Sequence, residues 1–197
     1  MGWLSLLLAL LPLHADAHLA GVKTDDFWLG VLHPLTTLEN ALAMLALGLL
    51  AGQNGEKAGL RVAGVFALAM TAGAVLGMLG LAGAGATWAS LLSLIVLGGL
   101  VALALPLRPS LLIGLAVLCG LAHGATNGVE IVPPVKPVLF ISGLTIAGFM
   151  ATFYAMFVVL HVKPWWLRIG VRVAGSWIAA IGLLVTALNS LGRPSGL

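Results

Sequence analysis

The sequence predicts an all-α polytopic membrane protein, a single bundle of about six transmembrane helices that follows an N-terminal signal peptide. Of its 197 residues, 61% are hydrophobic and only 8% are charged, and the mean hydropathy is +1.15. So few polar residues cannot cover the surface of a soluble globule. The apolar residues are also grouped into runs close to the roughly 20 residues that a helix needs to cross a bilayer. We therefore expect lipid to be the main partner of this chain.

The first apolar run, Trp3 to Leu13, has 11 residues and is too short to span a bilayer. It is followed by Ala15-Asp16-Ala17, a small-residue pattern typical of signal-peptide cleavage sites. We expect residues 1–17 to be a signal peptide that is removed after Ala17. Residues 18–197 would then form one transmembrane domain.

Six longer apolar runs follow, each bounded by glycine, proline or charged residues. They cover approximately residues 27–51, 58–81, 84–106, 109–127, 137–160 and 165–190. Glycines recur within them and are expected to let helix backbones approach closely, for example at Gly73, Gly77, Gly80, Gly114 and Gly120.

The basic residues predict how the bundle is oriented. If the mature N-terminus is exported, six of them fall at the cytoplasmic ends of the spans: Lys57, Arg61, Arg108, Lys163, Arg168 and Arg172. Only Lys23, Lys136 and Arg193 fall outside. The positive-inside rule therefore agrees with the signal peptide, and both mature termini are expected outside the cytoplasm, in a bacterial-type inner membrane. Because these charges are scattered singly, nucleic acid is not an expected partner.

Two short polar segments interrupt the apolar runs, at residues 33–40 and 123–130. Ionisable groups inside spans are costly and usually functional. We take six residues as candidate metal ligands: His33, Glu39, Asn40, His123, Asn127 and Glu130. The expected supporting residues are Thr36, Thr37, Met44, Gly124 and Gly128. Pro34, Gly124 and Gly128 are expected to break the helices and to free backbone carbonyls toward the same cavity.

The predicted topology brings the two segments together. The first span carries residues 33–40 in its outer half, and the fourth reaches residues 123–130 at its outer end. We therefore expect these spans to be neighbours, with Glu39 paired to His33 or His123. Helical spacing aligns His123, Asn127 and Glu130 on one face. Imidazole, carboxylate and carboxamide groups together suit a divalent cation.

At these segments the chain resembles the HupE/UreJ family of membrane proteins, which is associated with nickel or cobalt supply to hydrogenase and urease. The family's first pattern is His, five residues, Asp-His, then Ala-Met. The second is His-Gly, two residues, His-Gly, one residue, Glu. The matching residues are His33, Glu39-Asn40 and Ala43-Met44 in the first, and His123-Gly124, Asn127-Gly128 and Glu130 in the second.

The chain departs from the family pattern at three positions. Asn40 and Asn127 replace two histidines, and Glu39 replaces an aspartate. Fewer imidazoles shift the preference of a site away from nickel and cobalt toward harder ions, or toward no transported ion.

Three functions remain open from the sequence. The first is a transporter or channel for a divalent cation, nickel or cobalt as the resemblance implies, with selectivity altered by the substitutions, or for a small polar solute. The second is a non-transporting subunit that docks onto a larger enzyme complex with other membrane subunits. The third, ranked lowest, is an intramembrane hydrolase in which His33 and His123 hold zinc and Glu39 is the general base. The sequence has no HExxH, G-x-S-x-G or nucleotide-binding motif, so we expect no enzyme and no tightly bound cofactor, with the metal ion as a substrate.

Overall fold

A computed structural model describes residues 25–161 and 164–191, and over these residues the chain is helical with no strand. The predicted all-α fold is therefore confirmed. The helices are α1 (Asp26–Thr36), α2 (Leu38–Gln53), α3 (Glu56–Met78), α4 (Ala84–Leu103), α5 (Pro109–Val129), α6 (Pro137–His161) and α7 (Trp165–Leu191). The predicted signal peptide and its cleavage site lie outside the described residues.

Five helices, α3 to α7, are long and apolar enough to cross a membrane, and together with α1 and α2 they make the chain an integral membrane protein. The predicted first span, 27–51, is not one straight helix, because α1 and α2 meet at an angle of 77°. α1 and α2 are long and apolar enough to cross a membrane only when they are taken together. The described residues therefore contain six spans if this bent pair counts as one.

The bend between α1 and α2 lies at Thr37, which is extended with φ −85° and ψ 112°. Pro34 in the last turn of α1 lacks the N–H that would continue the helical hydrogen bonds. The carbonyl of His33 accepts hydrogen bonds from the Thr37 N–H at 3.2 Å and the Thr37 hydroxyl at 2.9 Å. The Thr36 hydroxyl lies 3.1 Å from the same oxygen. Thr36 and Thr37, expected to support a metal site, thus satisfy the backbone at the bend.

α3 and α5 approach closely because glycines face each backbone. A Cβ at Gly124 or Gly128 would collide with the carbonyl of Met70 or Ala74 on α3. The prediction that Gly124 and Gly128 break the helix is wrong, since α5 is continuous from Pro109 to Val129. Both glycines are needed instead for packing. Gly73, Gly77 and Gly120 have the same role, whereas Gly80 and Gly114 face open space.

The remaining helices pack around this pair. α6 contacts α1, α2 and α3, and α7 packs mainly against α4. Gly30 on α1 faces the backbone of Phe140 on α6, and Gly143 on α6 faces that of Phe27 on α1. This second close contact holds the short α1 against the bundle.

The two ends of the bundle differ in charge. One end, which we call the basic end, carries five of the six predicted inner cations: Lys57, Arg61, Arg108, Arg168 and Arg172. The sixth, Lys163, lies outside the described residues. The opposite end, the acidic end, carries Asp25, Asp26, Glu39 and Glu130 with Lys136. The predicted grouping of the basic residues at one end is thus confirmed for the described part of the chain.

Candidate metal site

Four polar side chains from three helices meet inside the bundle, and we call them the polar cluster: Asn40 of α2, Ser93 of α4, and His123 and Asn127 of α5. They are buried, with exposed fractions of 6%, 8%, 1% and 1% respectively. Polar groups at such depth require hydrogen-bond partners. The cluster supplies these from its own members.

The hydrogen bonds of the polar cluster form a chain. Asn127 Nδ2 donates to the backbone carbonyl of His123 at 2.5 Å, and Asn40 Nδ2 donates to Asn127 Oδ1 at 3.1 Å. Asn40 Oδ1 lies 2.8 Å from His123 Nδ1. On the other side of the ring, Ser93 Oγ lies 2.9 Å from His123 Nε2 and 2.6 Å from the carbonyl of Ser90.

This chain of bonds fixes which nitrogen of His123 carries the hydrogen. A backbone carbonyl can only accept, so Asn127 must present its NH₂ to it and its oxygen to Asn40. Asn40 then presents its own oxygen to Nδ1, which must donate. Within the described residues no carboxylate contacts His123, and a charged imidazole buried without a counter-charge is costly. The ring is therefore neutral, and Nε2 keeps a lone pair that faces Ser93.

The outer candidates form a separate arrangement at the acidic end. His33 Nε2 lies 3.1 Å from Glu130 Oε2, with 22% and 61% of the two side chains exposed. The distance is that of an ion pair, but His33 Nε2 has no hydrogen bond of good geometry in the described structure. The His33 ring also packs against Phe140, with ring centroids 5.5 Å apart.

Glu39 and Glu130 line a pocket of about 380 Å³ at the acidic end, which we call the outer pocket. Thr87 of α4 and Thr126 of α5 share its wall. Glu39 lies in the first turn of α2, where a helix N-terminus favours a carboxylate. The expected pairing of Glu39 with His33 or His123 does not occur, since the ion pair between described side chains joins His33 to Glu130.

The six candidate ligands thus fall into two groups rather than one. Asn40, His123 and Asn127 form the buried group, which confirms that the first and fourth spans meet, although α5 packs mostly on α3. His33, Glu39 and Glu130 remain at the acidic end. No three His, Cys, Asp or Glu side chains of the described residues converge, which leaves a zinc held by His33 and His123 without support.

Two further residues complete the description of the site. Met44, expected near the ligands, is 1% exposed and belongs to the hydrophobic core one turn inward from Asn40. Ser93 was not among the candidates, although it contacts the imidazole directly. Its position in an apolar span was the available signal, since hydroxyl groups in spans often bond across helices.

Fold and site together define a class: a helical integral membrane protein with a buried polar cluster behind an acidic pocket. The family model for the HupE / UreJ protein matches residues 6–185. The chain is also 33% identical over 181 residues to Protein HupE from Rhizobium leguminosarum bv. viciae, which covers 87% of this chain and 90% of the relative. The chain therefore belongs to the HupE/UreJ family. No solved structure matches it.

Proposed function

We propose that this protein is a transporter or channel for a divalent metal cation, with His123 Nε2 as the central protein ligand. The observation that carries the proposal is the chain of hydrogen bonds by which Asn40 and Asn127 orient the buried His123 ring, with Nδ1 toward Asn40 and Nε2 toward Ser93. Metal-binding histidines typically donate their other N–H to an oxygen acceptor, which fixes the ring and raises its basicity. In this arrangement Asn40 and Asn127 are positioning residues.

Ser93 can support the same role. Two strong acceptors lie within reach of its hydroxyl hydrogen, His123 Nε2 and the Ser90 carbonyl, and the Cys119 thiol lies beside the same hydroxyl. When a cation occupies the lone pair of Nε2, Ser93 can keep its bond to the carbonyl and turn an oxygen lone pair to the cation. One imidazole with hydroxyl and water ligands favours a harder ion than a site with three imidazoles.

The outer pocket would collect the cation before it reaches the polar cluster. Glu39 and Glu130 give this end a negative charge, and charged pockets raise the local concentration of counter-ions. We further propose that the acidic end faces away from the cytoplasm, as the positive-inside rule predicts. Reporter fusions after Leu197 that are active only in the cytoplasm would contradict this orientation.

Calorimetry with Mg²⁺, Mn²⁺, Co²⁺, Ni²⁺, Cu²⁺ and Zn²⁺ on the purified full chain tests the metal proposal. We expect one bound ion per chain, lost in His123→Gln, and uptake of the same ion by vesicles that contain the protein. As a control, His161→Gln changes an exposed histidine at the basic end and should bind normally. Binding of none of the six ions would contradict the proposal.

A second function, that of a docking subunit without transport, is favoured by one observation. The polar atoms of Asn40, His123 and Asn127 already bond to one another in the described structure, as expected for a cluster that only joins helices. A protein that binds no metal but copurifies stably with other membrane subunits would support this alternative. In neither case do we propose an enzymatic activity.

A further inference from the structure

Ser90 of α4 has a buried hydroxyl without a hydrogen-bond partner in the described structure. The residue is 3% exposed, and its Oγ makes no hydrogen bond. A serine or threonine within a helix can satisfy itself by donating to a carbonyl one turn earlier. Ser93, Thr71 and Thr145 do so in this protein, at 2.6, 3.0 and 2.7 Å. Ser90 is therefore an exception that needs an explanation.

Ser90 lies on α4 between a residue that lines the outer pocket and a residue of the polar cluster. Three residues before it on α4, Thr87 lines the outer pocket, and three residues after it Ser93 contacts His123. Residues three apart lie on adjoining parts of one helix face. α5 has a similar arrangement of residues. Thr126 lines the outer pocket, and His123 lies one turn deeper on the same helix.

The Ser90 backbone also takes part in the cluster. Its carbonyl accepts the hydrogen bond of the Ser93 hydroxyl at 2.6 Å, and that hydroxyl oxygen lies 2.9 Å from His123 Nε2. The Ser90 carbonyl is thus connected, through the Ser93 hydroxyl, to the side of the imidazole that keeps its lone pair, and the Ser90 hydroxyl has no partner among the described residues.

We propose that the Ser90 hydroxyl is a ligand position on the path of a hydrated divalent cation from the outer pocket to His123 Nε2. The cation would exchange a water ligand for this neutral oxygen as it leaves the pocket, and would keep this oxygen as a ligand when His123 Nε2 binds. This inference rests on the proposed function, because it assigns one more ligand to the same cation. It also explains why a buried hydroxyl is left without a partner.

Cysteine labelling tests the path. Cys119 is the chain's only cysteine, so Cys119→Ala provides the background, and Ser90→Cys introduces a thiol of nearly the same size. We expect a cationic, hydrophilic methanethiosulfonate to label Ser90→Cys in the detergent-solubilised full chain. Saturating Co²⁺ should slow this labelling by about tenfold, as a bound ligand protects its site.

Two control variants make the labelling result specific. Thr152 is also fully buried with an unpartnered hydroxyl, but it lies on α6 and does not line the outer pocket. Thr152→Cys should react at least about tenfold more slowly than Ser90→Cys, because labelling there requires the packed helices to open. Leu81 is 68% exposed beside the outer pocket, and labelling of Leu81→Cys should be rapid and unaffected by Co²⁺.

Metal affinity provides an independent measurement if Ser90→Cys does not fold. Ser90→Ala should lower the affinity for Co²⁺ by about tenfold, a typical loss for a group that supports a metal site. Thr152→Ala, the matched control, should leave it unchanged.

The outcomes separate this inference from the proposed function. If Ser90→Cys reacts no faster than Thr152→Cys, or if Co²⁺ that calorimetry shows to be bound does not slow it, Ser90 is not a ligand position, even when the unmodified protein binds metal. Unchanged affinity in Ser90→Ala would overturn the inference in the same way. If the unmodified protein binds none of the six ions, the proposed function itself fails.

Discussion

The two histidines of the polar segments, His33 and His123, occupy contrasting surroundings. His33 lies at the acidic end and faces a carboxylate that is 61% exposed, whereas His123 is 1% exposed and contacts an amide and a hydroxyl. An exposed ion pair contributes little to stability and is weakened by salt. Neutral partners instead orient a buried ring without adding charge to the membrane interior. Under the proposed function, the outer group would capture the cation and the inner group would coordinate it.

The largest expected effect concerns the helix contact that holds the inner group in place. Gly124→Ala would place a Cβ against the Met70 carbonyl, and backbone cannot move aside as a side chain can. We expect the free energy of unfolding to fall by about 3 kcal/mol, the upper part of the usual range for overpacking. Unfolding in detergent with increasing denaturant measures the change.

Gly114→Ala is the matched control on the same helix, because a Cβ there meets no atom of residues 25–161 and 164–191 within 4 Å. It should leave stability unchanged or raise it by up to about 1 kcal/mol. If both variants lose the same unfolding free energy, the close contact between α3 and α5 is not what supports the polar cluster.

The second prediction changes the ligands of the inner group. Asn40→His together with Asn127→His would place two further imidazoles beside His123, so that the buried group would contain three. Nickel affinity should rise by about a hundredfold, or roughly 2.7 kcal/mol. Asn189→His, on the exposed part of α7, is the control and should add only weak binding. A folded double variant that binds nickel no better would show that the two asparagines are not what limits nickel binding.

The third prediction compares the two histidines directly. His123→Ala would leave Asn40 Oδ1 and Ser93 Oγ with fewer partners and would create a cavity. We expect it to lower the free energy of unfolding by about 2 kcal/mol. His33→Ala should cost less than about 1 kcal/mol, since it removes an ion pair whose carboxylate side chain is 61% exposed. If the same denaturant titration shows that His33→Ala loses more unfolding free energy than His123→Ala, the contrast between the two regions is wrong.

The smallest expected effect concerns capture at the outer pocket. Glu39→Gln should slow the association of Co²⁺ by about threefold at low ionic strength, and the difference should vanish in high salt. Glu56→Gln removes an exposed carboxylate at the basic end and should change nothing. Stopped-flow mixing measures both rates. If Glu39→Gln still slows Co²⁺ association in high salt, Glu39 is one of the direct ligands.

Most of the fold could be predicted from the sequence, because length and hydropathy define a membrane helix almost alone. The ranges predicted for the last five spans agree with α3 to α7 within a few residues. The bend at Thr37 could not be located from Pro34, since Pro34 lies inside α1 and the helix continues to Thr36, where the Thr36 and Thr37 hydroxyls bond to the His33 carbonyl. The glycines after His123 and Asn127 were read as helix breakers because only the structure reveals that a second backbone lies against them.

The candidate site was predicted in part. Helical spacing placed His123 and Asn127 on one face, and the topology brought Asn40 to them. Glu39 and Asn40 have different surroundings because they are successive residues of α2, about 100° apart around its axis. The sequence did not show that α2 begins at Leu38, which places Glu39 in its first turn at the acidic end. Ser90 and Ser93 were missed because a serine in an apolar run differs little from the small residues that helices use for packing.

The most direct test of the central claim is X-ray absorption spectroscopy of the Co²⁺-loaded full chain. If His123 Nε2 binds the cation, the spectrum should show one imidazole among oxygen ligands, and His123→Gln should lose that imidazole signal while His33→Gln keeps it. An imidazole signal that survives in His123→Gln, or a cobalt shell made of oxygen alone in the unmodified protein, would contradict the account.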